Sequence, residues 1–168
     1  MNMLTKLSLA LLTTSTILSA SGPEIHIGTS LTSMDLGTSE SALQHTIGYG
    51  VMHTFESNIF LGVGLDFDYT NIYEYSALSY GADFKAGYQF VEKTNLYGLF
   101  SPKIQGFENG TGYGFGYGIG ANYQPIDELA IALEYRTYNM EHIIEGATLS
   151  TSYTQSSYGI NLIWYYKE

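Results

Sequence analysis

An all-β fold, an eight-stranded antiparallel up-and-down barrel crossing a membrane with its strands, is what three observations in this 168-residue sequence predict. The first is alternation. From residue 112 to 123 the odd positions are Tyr113, Phe115, Tyr117, Ile119, Ala121 and Tyr123, and the even ones are five glycines and Asn122; period two is the signature of a strand. The second is composition: 45% of residues are hydrophobic and only 13% charged, against about 25% charged in a soluble domain. The third is that no apolar run approaches the ~20 residues of a membrane-spanning helix. No amphipathic helix is present to cover the apolar strand faces, so lipid must cover them. In lipid an open sheet edge leaves backbone groups unsatisfied, and the sheet has to close.

The N-terminus reads as an export signal, residues 1–21, ahead of a single barrel domain, 22–168. Residues 1–6 form a short basic segment, 7–18 a mostly apolar one, and Ser19, Ala20 and Ser21 offer small residues for cleavage.

Eight alternating runs follow. In 24–34, Ile25, Ile27 and Leu31 point outward. In 42–55 the outward set is Leu43, Ile47, Tyr49, Val51 and Phe55, opposite Gln44, Thr46, Gly48 and Gly50. Run 59–70 sends Ile59, Leu61, Val63, Leu65, Phe67 and Tyr69 outward, and 76–91 sends Leu78, Tyr80, Ala82, Phe84, Ala86, Tyr88 and Phe90. The fifth, 96–105, is interrupted by Pro102, which cannot donate to a ladder and predicts a bulge. The hairpin 112–136, broken at 124–128, supplies two more. Run 152–166 is the eighth, with Tyr158, Ile160, Leu162, Trp164 and Tyr166 outward.

The connections at 56–58, 92–95 and 124–128 are short and polar and are assigned to the periplasmic side; those at 35–41, 71–75, 106–111 and 141–151 then face outside. An even strand number places both termini in the periplasm.

The inward polar residues carry the chemistry. Asp66, Asp68, Asp83, Lys85, Lys103, Glu134 and Arg136 fall on the interior phase at similar depth. Eight strands leave an interior that side chains fill, and an unpaired buried ion costs several kcal/mol, so these charges are expected to pair. A static polar plug is preferred to a gate whose pairs exchange partners. The inward glycines leave room either for water or for aromatics such as Phe60 and Tyr138. Phe55, Tyr69, Phe90, Tyr123, Tyr135 and Trp164 fall outward near strand ends and are assigned to an aromatic girdle.

Other functions find little support. A net charge of −10 with six Lys and Arg in all argues against nucleic acid. Asp35, Glu40, Glu74, Glu108, Glu141 and Glu145 make the outer loops acidic, but none has calcium-loop spacing. The histidines, His26, His45, His53 and His142, have no ligand spacing. No catalytic residue, metal or cofactor is expected.

The run GYGFGYGIGANYQPIDELAIALEYRTY resembles the penultimate hairpin of the small OmpA-like, porin-family outer-membrane barrels. Ser157, Gly159, Leu162 and Trp164, followed by Tyr166, are similar to that family's C-terminal assembly signal, although Lys167 and Glu168 follow where such chains end on an aromatic. The resemblance implies a Gram-negative outer-membrane location, insertion by the outer-membrane assembly machinery, contact with outer-membrane lipids and lipopolysaccharide, and a monomer. Lipid A deacylases are related barrels, but their H-x-S-N pattern is absent. The function expected is a structural or surface-interaction element; the alternatives are a narrow gated ion or small-solute pore and a loop-mediated adhesin.

Overall fold

The computed structural model describes residues 22–166, apart from 36, 74, 92, 109 and 145–149; the expected export signal, Glu74, Glu145, Lys167 and Glu168 lie outside the described residues. Eight strands run β1 (Pro23–Asp35), β2 (Ser39–Thr54), β3 (Ile59–Ile72), β4 (Tyr75–Val91), β5 (Thr94–Phe107), β6 (Gly110–Ile126), β7 (Leu129–Ile144) and β8 (Ser150–Tyr165). Each pairs antiparallel with its sequence neighbour, and β8 closes on β1. All eight strands predicted from alternation are present.

The pairing sets the tilt. From Pro23, ladder partners lead through Val51, Val63, Phe84, Phe100, Tyr117, Thr137 and Ser156 back to β1 at Ser33, ten residues further along. That stagger tilts the strands by about 40° to the barrel axis. The first and last described residues, Gly22 and Tyr166, lie at one end, the terminal end, with the β2–β3, β4–β5 and β6–β7 turns; the other four connections lead to the loop end.

Alternation sorts the side chains as expected. Ile47, Leu65, Phe67, Phe84, Ile119 and Ile160 are among the large apolar residues exposed around the barrel wall, an apolar belt that lipid would cover. Val51, on the outward phase, is buried.

Two expectations need correction. Pro102 makes no bulge. The β5–β6 register passes through the Pro102–Phe115 pair without a shift. On the β4 side pairing stops after Gly81–Lys103 and resumes at Phe84–Phe100 in the same register, so the missing N–H interrupts the ladder without displacing it. The register shifts fall instead at Gln89/Val91 and Tyr123/Ile126, beside turns of the terminal end.

Strands also run further toward the loop end than the alternation did, leaving short connections such as 73–74 between β3 and β4. Alternation stops where the outward face leaves lipid, but backbone pairing continues beyond it.

Inside, apolar groups collect toward the two ends. Met34, Ile72, Tyr138, Met140 and Tyr153 cluster toward the loop end. Phe60, Tyr97 and Leu99, with Ala130, Ala132 and Ile163, do so toward the terminal end. Aromatic rings take up the space that glycines leave. A Cβ on Gly87 would lie 2.6 Å from the Phe60 ring, one on Gly116 2.5 Å from the Tyr138 ring, and one on Gly120 would overlap Tyr97.

An interior charge network as candidate functional site

Between the apolar clusters lie the interior charges, and their order follows from the strand phases. Asp66 and Asp68 face inward from β3, Asp83 and Lys85 from β4, Lys103 from β5, and Glu134 and Arg136 from β7. The barrel stagger brings them to mid-height, where every one meets an opposite charge.

Arg136 is the hub. Its Nη1 donates to Asp66 Oδ2 at 3.0 Å, its Nη2 lies 2.7 Å from Asp83 Oδ2, and Nη2 and Nε both reach Glu134 Oε2. One guanidinium thus engages three carboxylates from three strands, a use of its fixed donor fork that an ammonium could not copy. Glu134 also accepts from Tyr97 Oη at 2.6 Å and Asn161 Nδ2 at 3.1 Å, and Lys85 Nζ stands 3.4 Å from its other oxygen.

Lys103 pairs separately, 2.9 Å from Asp68 Oδ2, and lies over the Tyr138 ring at 4.8 Å; Thr46 donates to the same carboxylate at 2.7 Å. Ser101 donates to Asp83 at 2.6 Å. His26 Nε2 sits 2.9 Å from Asp66 Oδ1.

Sequence reasoning did not place His26, Tyr97, Ser101, Thr46 and Asn161 in this network. The phase of β1, with Ile25 and Ile27 outward, already turns His26 inward. The partners are set by depth, which depends on the stagger and cannot be read from a strand alone. Strand β6 contributes only glycine at the levels opposite, so it presents a smooth wall against which the Tyr97 and Tyr138 rings lie.

Two small cavities lie within the network, one of about 10 Å³ beside His26, Lys85 and Asn122 and one of about 20 Å³ beside Asp68, Arg136 and Ser157. Each holds about one water. Among the described residues, no cluster of His, Cys, Asp and Glu is arranged to hold a metal ion.

The remaining assigned residues lie on the wall. Phe55, Phe90, Tyr123, Trp164 and Tyr166 are exposed around the terminal end, and Tyr69 toward the loop end. Tyr135 departs from the expectation. It lies near the middle of the 16-residue β7, because β7 continues to Ile144, and its ring packs on Tyr158 with centroids 4.7 Å apart. In the C-terminal motif Leu162, Trp164 and Tyr166 face outward, while Ser157 and Gly159 turn inward on β8.

Comparison with known proteins agrees with this geometry. Neisserial surface protein A is similar in structure with a TM-score of 0.65 at 12% identity, over 87% of this chain and 98% of that one. Ail, the attachment invasion locus protein of Yersinia pestis, is similar at 0.55 and 12%, over 86% and 99%. The outer membrane enzyme PagL is similar at 0.56 and 11%, over 83% and 98%. At such identities the likeness is one of fold. No curated protein matches the chain. The family model for the outer membrane protein beta-barrel domain matches residues 6–165, and the chain belongs to that family.

Proposed function

We propose that the protein is a structural or surface-interaction element of the outer membrane whose barrel is closed to solutes. What supports this most is the filled interior: rings toward both ends, a fully paired charge layer at mid-height, and cavities that hold about one water each. Activity then resides on the lipid-facing wall and the loop end rather than in a lumen. On this reading the chain is a monomer with both termini in the periplasm, inserted by the outer-membrane assembly machinery through its C-terminal motif, in contact with lipopolysaccharide. It is not an enzyme.

Swelling of proteoliposomes in isotonic sugar tests the closure. The rate stays at that of protein-free vesicles if the barrel is closed, and a rate that rises with the amount of folded protein would overturn the reading. A second reading, a narrow gated ion pore, draws on Lys85, whose 3.4 Å contact with Glu134 is the longest ion pair in the network. It requires Lys85→Ala to change conductance or ion selectivity; an unaltered channel removes Lys85 from any gate.

A further inference from the structure

The apolar belt is not of even height. With ten residues of climb shared over eight strands, each step along a hydrogen-bonded row from β1 toward β8 rises by roughly one residue toward the loop end. On that measure Thr137 and Ser156 stand level with Phe115, Tyr80 and Leu31, and Asn139 with Leu78, Ile104 and Leu43. On the other six strands the outward apolar or aromatic positions reach at least the level of Thr137, at Leu31, Leu43, Tyr69, Leu78, Ile104 and Tyr113, all exposed, although Thr29 and His45 interrupt the runs on β1 and β2 and Ser33 ends that on β1. On β7 and β8 the apolar run ends lower, at the packed pair Tyr135 and Tyr158. Above it the outward positions are Thr137, Asn139 and Glu141 on β7 and Ser156, Thr154 and Ser152 on β8.

The lower edge of the belt does not compensate. Ile131 and Trp164 hold the apolar surface at the terminal end of these two strands, so the belt is shorter here rather than shifted, and a rigid tilt of the barrel does not account for it.

We infer that polar lipid headgroups of the loop-end leaflet descend over β7 and β8, so that the bilayer is locally thinned against this one side of the barrel. The polar surface opens continuously to the loop end, whereas an island of polar residues enclosed by the belt would call for a protein neighbour. Glu141 lies within it, its carboxylate accepting from Tyr113 Oη at 2.7 Å, and an ionised group needs a wet boundary. Tyr135 and Tyr158 end the apolar run, and tyrosine is enriched where hydrocarbon gives way to headgroups. Flanking Phe115 on β6 and Leu31 on β1 confine the descent to two strands, about 10 Å of wall. Shortening the belt on one side favours thinner lipid there, a known response to hydrophobic mismatch.

The chain has no cysteine, so single spin labels test this directly. Thr137→Cys, Ser156→Cys, Phe115→Cys and Leu43→Cys proteins, labelled and reconstituted in phosphatidylcholine vesicles, are compared for collision with oxygen and with an aqueous nickel chelate. The ratio of nickel to oxygen collisions is expected to be severalfold higher at Thr137 and Ser156 than at Phe115 and Leu43. Equal ratios at all four sites would place Thr137 and Ser156 in hydrocarbon and overturn the inference. Labels shielded from both reagents would mean a second copy covers the patch, which overturns it too. Asn139→Cys and Thr154→Cys repeat the measurement one outward position higher should either first variant fail to fold.

Discussion

Glu134 and Arg136 stand two residues apart on the inward face of β7, with both Nε and Nη2 of the arginine donating to one oxygen of the glutamate, at 3.0 and 2.5 Å. The pair is therefore formed within one strand. The contacts of Arg136 with Asp66 and Asp83 then carry it across the barrel to β3 and β4.

Removing the hub should be expensive. Arg136→Ala leaves three buried carboxylates without their shared cation, and breaking a buried ion pair by deleting one partner costs about 3–5 kcal/mol. Equilibrium urea unfolding from lipid vesicles measures this. A loss below ~1 kcal/mol, the worth of an exposed pair, would mean that water already reaches the network.

The rings beside the glycines make a second test. Tyr97 lies against Gly120 and is held there by its 2.6 Å hydrogen bond to Glu134, so it cannot swing aside without losing that bond. Gly120→Ala is expected to destabilise by about 1–3 kcal/mol through overpacking. In the double variant Gly120→Ala with Tyr97→Ala, the two losses should be less than additive; full additivity would show that the ring and the glycine do not meet.

The wall makes a third. Leu65 faces outward near mid-height and is exposed, whereas Asn71 is outward near the loop end of the same strand. Leu65→Arg should cost about 2–4 kcal/mol in the unfolding measurement and Asn71→Arg about 0–1. Equal costs at the two sites would contradict the position of the lipid belt.

Much of this was legible in the sequence because alternation reports what each side chain faces. Phe67 and Phe84 declare lipid; Asp66 and Asp83, their neighbours, declare the interior. Alternation does not report where pairing ends, so it ends β7 before Ile144 and puts Tyr135 near a strand end rather than mid-strand. Nor does it report depth. That Arg136 meets Asp66 rather than Asp68, and that His26 and Tyr97 join the network, follows from a ten-residue stagger set by all eight ladders together. Pro102 failed as a signal for another reason: its lost donor lies on one side only, and the other ladder holds the register.

Single-channel recording of the refolded barrel in a planar bilayer tests whether the interior, with its mid-height charges paired, is closed. Protein shown to be folded by its heat-modifiable gel mobility is expected to insert without discrete current steps. Reproducible, cation-preferring steps from that folded protein would contradict it and make the charges around Arg136 the lining of a pore.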